Sequence, residues 1–318
     1  MSCRSGSAPE GALAALGGQR AAVEAARELR AAGRAFALTL VVAAEGSTYR
    51  KPGALALVAD DGRQVGVISG GCLEPGLVQL ARTALATGQP CDTVFDTRAD
   101  DDLLFGSGSG CRGRMHVLAL PFRPGDAAPF LDALLAAHES RRPARFTLGA
   151  LAPQLQLAGE VTVRPPPLVL LVGAGPEAPP LLRMARTLGW FAWVTDHRPA
   201  LLEQASALAA DRVIAGRPSA ALAGLVDEHV DAAIVMTHTA DNDLAALEAL
   251  ADLDVGYVGL LGPPARRDEL LARLTQQRRA ALAGRLRAPV GLLLGGEGPE
   301  AIALAVVAQL QQALHGAK

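Results

Sequence analysis

Excess charge of either sign is missing from this chain. Its 318 residues carry 30 Lys and Arg against 32 Asp and Glu, a formal net charge of −2. A field that weak draws a protein neither to nucleic acid nor to an acidic membrane surface, so neither partner is expected. Long apolar runs are missing too. No stretch of about 18 residues is uncharged and apolar throughout, which excludes a transmembrane helix. The first 20 residues lack a basic start followed by a long apolar segment, so no secretory signal is expected and the cytoplasm is the expected compartment. Cysteine is scarce. Cys3, Cys72, Cys91 and Cys111 form no Cys-x-x-Cys pair and have no His at zinc-finger spacing. That excludes a structural zinc module and, in a chain this long, a disulfide scaffold. Lysine is nearly absent, with only Lys51 and Lys318 among the basic residues. Together with abundant Ala, Gly and Pro this reads as genomic base bias, so Ala-rich stretches carry little weight as structural signals.

What is present suits two domains. The length is comfortable for two, and half of the residues are hydrophobic, enough for a core in each. Residues 1–145 read as an α+β domain. An Ala-rich helix is expected over 11–34, then strands over 36–43, 54–59 and 64–68. Asp60-Asp61-Gly62-Arg63 joins the last two as a hairpin, since Asp-Gly supplies the left-handed positions. A helix over 72–86 follows, then strands over 91–97 and 115–120 around a polar Gly-rich loop, and a helix over 130–138. Residues 146–167 read as a linker ending in Arg164-Pro165-Pro166-Pro167, because proline stiffens the backbone and cannot join a sheet ladder. From 168 to 318 the pattern changes. Short apolar runs at 168–172, 192–195, 212–215, 232–237, 256–261 and 290–294 alternate with helical segments. Continuous apolar strands between helices predict a parallel sheet covered on both faces, a Rossmann-like doubly wound domain. The fold class is therefore α/β.

Four segments carry candidate chemistry. Gly173-Ala174-Gly175-Pro176-Glu177-Ala178 follows an expected strand and opens a helix, and Asp196 ends the next strand 21 residues after Gly175. In that context the glycines let a pyrophosphate approach the helix N-terminus, and Asp196 would accept bonds from a ribose diol. Ser69-Gly70-Gly71-Cys72-Leu73-Glu74 sets a sulfur just before a helix, facing its unbonded amides. In Gly106-Ser107-Gly108-Ser109-Gly110-Cys111-Arg112-Gly113, successive amides would form an anion nest. His238, in Thr237-His238-Thr239, lies at the carboxyl end of a sheet strand, where open α/β folds place ligands. A small buried Cys, a surface loop and a loop-bonding His are the bland readings of the last three.

In combination these segments are more specific. Gly46-Ser47-Thr48 with Pro52-Gly53, Gly70 through Glu74, and Gly110 through Gly113 resemble the N-terminal domain of the xanthine dehydrogenase accessory factors, the XdhC/CoxI family. Gly173-Ala174-Gly175, Asp196-His197-Arg198, Thr237-His238, Tyr257 through Gly262 and Ala288 through Leu292 resemble that family's Rossmann domain, in the same order. The resemblance implies a cofactor-handling chaperone rather than a classical enzyme. Such a protein binds the molybdenum cofactor (molybdopterin) and holds it while a cysteine desulfurase supplies the terminal sulfur. It then delivers it to a xanthine dehydrogenase-type molybdenum hydroxylase, and a homodimer is expected. The cofactor-binding residues would be Gly70, Gly71, Cys72, Glu74, Gly110, Cys111, Arg112 and Gly113, with Gly173, Gly175, Asp196 and His238 from the second half. Cys111 and Cys72 would be the metal ligands, since soft thiolates suit molybdenum. The chain departs from the family pattern at Arg112, at Pro263-Pro264 and at Gly298. The alternative is an NAD(P)-dependent oxidoreductase, with NAD(P) on the Gly173–Asp196 fingerprint.

Overall fold

The computed structural model describes residues 13–14, 17–98, 112–208 and 210–315. The chain forms two compact units, residues 1–166 and 167–318.

The first unit runs β1 (Leu13–Ala14), α1 (Gly18–Ala31), β2 (Phe36–Gly46), β3 (Leu55–Ala59), β4 (Gln64–Val65), α2 (Glu74–Thr87), β5 (Cys91–Asp96), β6 (Gly113–Phe122), α3 (Pro129–Ser140), β7 (Ala144–Thr147), α4 (Leu148–Leu151), a 3-10 turn at Pro153–Leu155 and β8 (Glu160–Val163). Its main sheet has the order β1-β4-β3-β2-β6-β5 and is antiparallel except for β1 against β4. The apolar run of β2, interrupted only by buried Thr39 before Glu45, is explained by two covered faces. Phe36, Leu38, Leu40 and Val42 pack with Ala22, Val23, Ala26 and Leu29 of α1. Val41 packs with Leu77, Leu80 and Ala84 of α2, and Ala37 with Ala81. The alternation is the period of two of an extended chain. The β2–β6 register shifts between Val41 and Ala43, and beyond the bulge Gly46 pairs with Gly113.

Two expectations change here. The helix expected from residue 11 begins at Gly18, because Gly17 lies at φ 84°, outside the helical region, and Leu13–Ala14 pairs with β4 instead. The expected linker over 146–167 is folded for most of its length. Phe146, Leu148, Ala152, Val161 and Val163 lie in the same core as α1 and β2, and the first unit extends to Pro166. The alternation of β7 and β8 spans only four residues each, too short to register among neighbouring Pro and Gly.

The second unit runs β9 (Leu168–Val172), α5 (Ala178–Leu188), β10 (Phe191–Asp196), α6 (Pro199–Ala207), β11 (Arg212–Ala215), α7 (Pro218–Ala223), β12 (Val230–Val235), α8 (Ala240–Ala251), β13 (Val255–Leu260), α9 (Pro264–Arg273), α10 (Gln276–Leu282), β14 (Leu286–Arg287) and α11 (Pro299–His315). All neighbours in the order β11-β10-β9-β12-β13-β14 are parallel, the doubly wound Rossmann arrangement. Val169 and Leu171 face α5 and α11, while Leu168, Leu170 and Val172 face α7 and α8. The sixth strand is Leu286–Arg287, not the expected 290–294. Gly291 at φ 105° leaves the extended region, and the Leu292 amide donates to the Ala305 carbonyl of α11. Strand order reverses between β9 and β12, which opens a crevice at their carboxyl ends.

Candidate functional site

In the first unit, three of the motif segments meet. The Thr97 hydroxyl donates to the Gly113 carbonyl at 2.9 Å and accepts the Gly113 amide at 3.2 Å, which fastens the end of β5 to the start of β6. Ser47 donates its amide to the Arg112 carbonyl at 3.3 Å. A side chain at Gly113 would strike the Ser47 carbonyl at 2.4 Å, so glycine is what permits the approach. Arg50 donates to the Val67 carbonyl at 3.1 Å and ties the 47–53 turn to the segment that leads into Ser69.

The loop that carries Cys72 is organised by Ser69. Its hydroxyl accepts the amides of Gly71 and Leu73, each at 3.1 Å, and donates to Glu74; its own amide donates to Glu74 at 3.0 Å. Glu74 is buried in this role. Glu74, expected from the sequence to contact a cofactor, braces the loop through Ser69. Gly70, Gly71 and Cys72 are exposed, and a side chain at either glycine would meet nothing within 4 Å. The loop backbone is open to an approaching molecule.

These segments line a small pocket that is partly open to solvent. Its floor is apolar, made by Leu73, Phe95 and Met115. Ser47, Thr48, Ser69 and Thr97 also line it, with Cys72 and exposed Tyr49. Gly70 and Gly113 also line it, and Arg112 is exposed beside Gly113. Gly110 and Cys111 lie outside the described residues. Cys91 opens β5, the end away from Phe95 and Thr97. Tyr49, Phe95, Thr97 and Met115 are absent from the candidate residues that the sequence motifs single out. The signal for Thr97 is its place directly after a strand and before the Gly-rich segment.

In the second unit, Gly173, Gly175 and His238 lie on loops at the carboxyl ends of β9 and β12, and Asp196 is the last residue of β10. Gly173 has φ 114°, and a side chain there would strike the Met236 carbonyl at 2.5 Å. His238 has φ 63°, and its Nε2 lies 3.0 Å from the carboxylate of buried Glu177. The His238 loop is held from below by buried Asp243, which accepts the Thr237 amide at 3.1 Å, the Thr237 hydroxyl, and Arg266 at 2.6 Å. Asp196 is buried. Burial raises its pKa, but the Arg198 guanidinium and the amides of Ala174 and Arg198 outweigh that and hold the carboxyl far below the usual range. The crevice beside it is lined by Gly173, Thr195, Arg198, Thr237 and Asn242. The Thr195 hydroxyl is buried without a hydrogen-bond partner among the described residues. Among those residues no group of three or more His, Cys, Asp or Glu is placed to hold a metal ion. Nor is any of their helices long and apolar enough to cross a membrane.

Comparison with known proteins agrees with this two-part construction. Residues 29–96 match the XdhC and CoxI family, and residues 169–310 match the XdhC Rossmann domain. A probable xanthine dehydrogenase subunit of Bacillus subtilis (strain 168) is 31% identical over 311 residues, covering 86% of this chain and 92% of that protein. The molybdenum cofactor insertion chaperone PaoD of Escherichia coli (strain K12) is 26% identical, covering 87% of this chain and 83% of that protein. A crystal structure described as a xanthine dehydrogenase from Bacillus halodurans superposes with a TM-score of 0.75 at 28% identity, covering 94% of this chain and 97% of that one. With matches in both units and a relative this similar across most of its length, the chain belongs to the XdhC and CoxI family.

Proposed function

We propose that this protein is an accessory chaperone that binds the molybdenum cofactor, holds it during sulfuration by a cysteine desulfurase and delivers it to a xanthine dehydrogenase-type molybdenum hydroxylase. The observation that carries the reading is the convergence of Ser47 and Thr48, Ser69, Gly70, Cys72 and Leu73, and Gly113 on one pocket with an exposed sulfur in its lining. The name of the Escherichia coli relative, a molybdenum cofactor insertion chaperone, supports it. The donor set fits the group. An apolar floor of Leu73, Phe95 and Met115 suits a planar pterin, and Gly70 and Gly71 leave room beside the backbone. Cys111 would ligate the metal, with Cys72 as the second sulfur. When bound, the cofactor supplies the molybdenum centre that a client hydroxylase requires. The residues of this chain hold and shield it.

The NAD(P)-dependent oxidoreductase reading has no comparable support, because Asp196 is bonded to Arg198 and Ala174. A homodimer is part of the proposal, and sedimentation measures it. The decisive test is purification from a cofactor-producing host, with molybdenum and pterin measured per chain. Cys111→Ala is expected to lower both while the protein stays folded, and Cys72→Ala to do so to a smaller extent. Equal content in wild type and both variants overturns the proposal.

A further inference from the structure

A dinucleotide asks three things of this fold: an unobstructed helix N-terminus for the pyrophosphate, glycines that let it approach, and an acid with free lone pairs for the ribose diol. The second unit has the residues for all three, and each is engaged by the protein itself.

Glu177 stands at the N-cap of α5, and its buried carboxylate meets His238 Nε2 at 3.0 Å. A negative charge there complements the helix dipole and repels an incoming phosphate. A side chain on Gly175 would lie 2.8 Å from His238 Nε2 and 3.0 Å from its Cδ2, so the imidazole fills the space that the glycine keeps clear. Gly173 is required by the Met236 carbonyl, whatever binds nearby. A carboxylate has about four lone-pair sites. At Asp196 these receive the Arg198 amide and Nε on Oδ1, each at 2.9 Å, and the Ala174 amide at 2.8 Å and Arg198 Nη2 at 2.7 Å on Oδ2. None remains for a diol.

The arrangement is built rather than incidental. His238 holds a left-handed conformation, uncommon for a residue other than glycine. Thr237 beside it is fixed by the bonds from its amide and hydroxyl to Asp243, itself held by Arg266.

We infer that the Rossmann unit carries its own plug: Glu177 latched by His238 occupies the pyrophosphate seat, and Arg198 saturates the ribose acid, so NAD- and NADP-type ligands are excluded. The fingerprint persists because the protein's own loops need those glycines.

Titration of the full chain with NADH and with NADPH, followed by nicotinamide fluorescence, tests this. Wild type is expected to show no saturation up to ~1 mM, and Glu177→Gln/Arg198→Ala/His238→Gly, which clears the seat and frees the ribose acid together, to bind about tenfold tighter or more. Arg198→Ala/His238→Gly keeps the Glu177 cap and suits the left-handed backbone, so it serves if the triple variant does not melt cooperatively. Wild-type binding as tight as that of a folded variant overturns the inference. So does an absence of binding in both, because the exclusion would then have another cause.

Discussion

Ser69 is the hub of the loop that presents Cys72, and its neighbours depend on a single carboxylate. Glu74 accepts both its amide and its hydroxyl, which in turn orients that hydroxyl to receive the Gly71 and Leu73 amides. Glu74→Ala leaves buried Ser69 donors unpaired and is expected to cost about 1–3 kcal/mol in denaturant unfolding. A loss within experimental error would show that the loop stands without it. Asp196 allows a test with a sign. Its folded carboxyl titrates well below the ordinary value of about 3.9. The ionised form therefore stabilises the fold at every pH above that value, and the contribution fades as pH falls below it. Asp196→Asn is expected to be less stable than wild type at pH 7, with the gap narrowing below about pH 4. A gap that stays constant down to pH 3 contradicts the assignment.

Among the elements, the β7–β8 hairpin is the one whose role differs most from its composition. Phe146 is buried, with its ring centroid 4.5 Å from that of Phe130, and it pairs across the hairpin with Val161. Phe146→Ala is expected to cost about 3–5 kcal/mol, the usual range for a core aromatic. A linker residue would cost almost nothing, so chemical denaturation separates the two. At the turn from β9 to α5, Gly173→Ala would combine a positive φ with a contact of 2.5 Å to the Met236 carbonyl. Strain of that kind costs on the order of 1–3 kcal/mol. The variant is expected to melt earlier without any ligand present, and an unchanged melting temperature would mean that the turn relaxes.

At the scale of the whole molecule, each described core cluster lies within one unit, with α1, β2 and the β7–β8 hairpin in the first and the six parallel strands in the second. Residues 167–318 expressed alone are expected to give a cooperative thermal transition with mixed helix and strand content. A non-cooperative melt would show that this core is incomplete by itself. Much of this plan was legible in the residues. The alternation of apolar strands with helices after Pro167 specifies a parallel sheet because strands buried on both faces have no polar side to show. The order of Gly-rich segments sufficed to suggest the family, because close backbone approaches such as Gly113 to Ser47 admit no side chain. What the residues could not reveal is which polar groups remain available to a ligand. Glu177 and His238 are 61 positions apart, and Thr97 and Gly113 are 16 apart. Bonds over such separations exist only once the strands are ordered and the loops meet. Local sequence therefore determined where backbone and glycine had to be, and tertiary structure decided that Glu74 braces its own loop and Asp196 is bonded internally while Cys72 stands exposed.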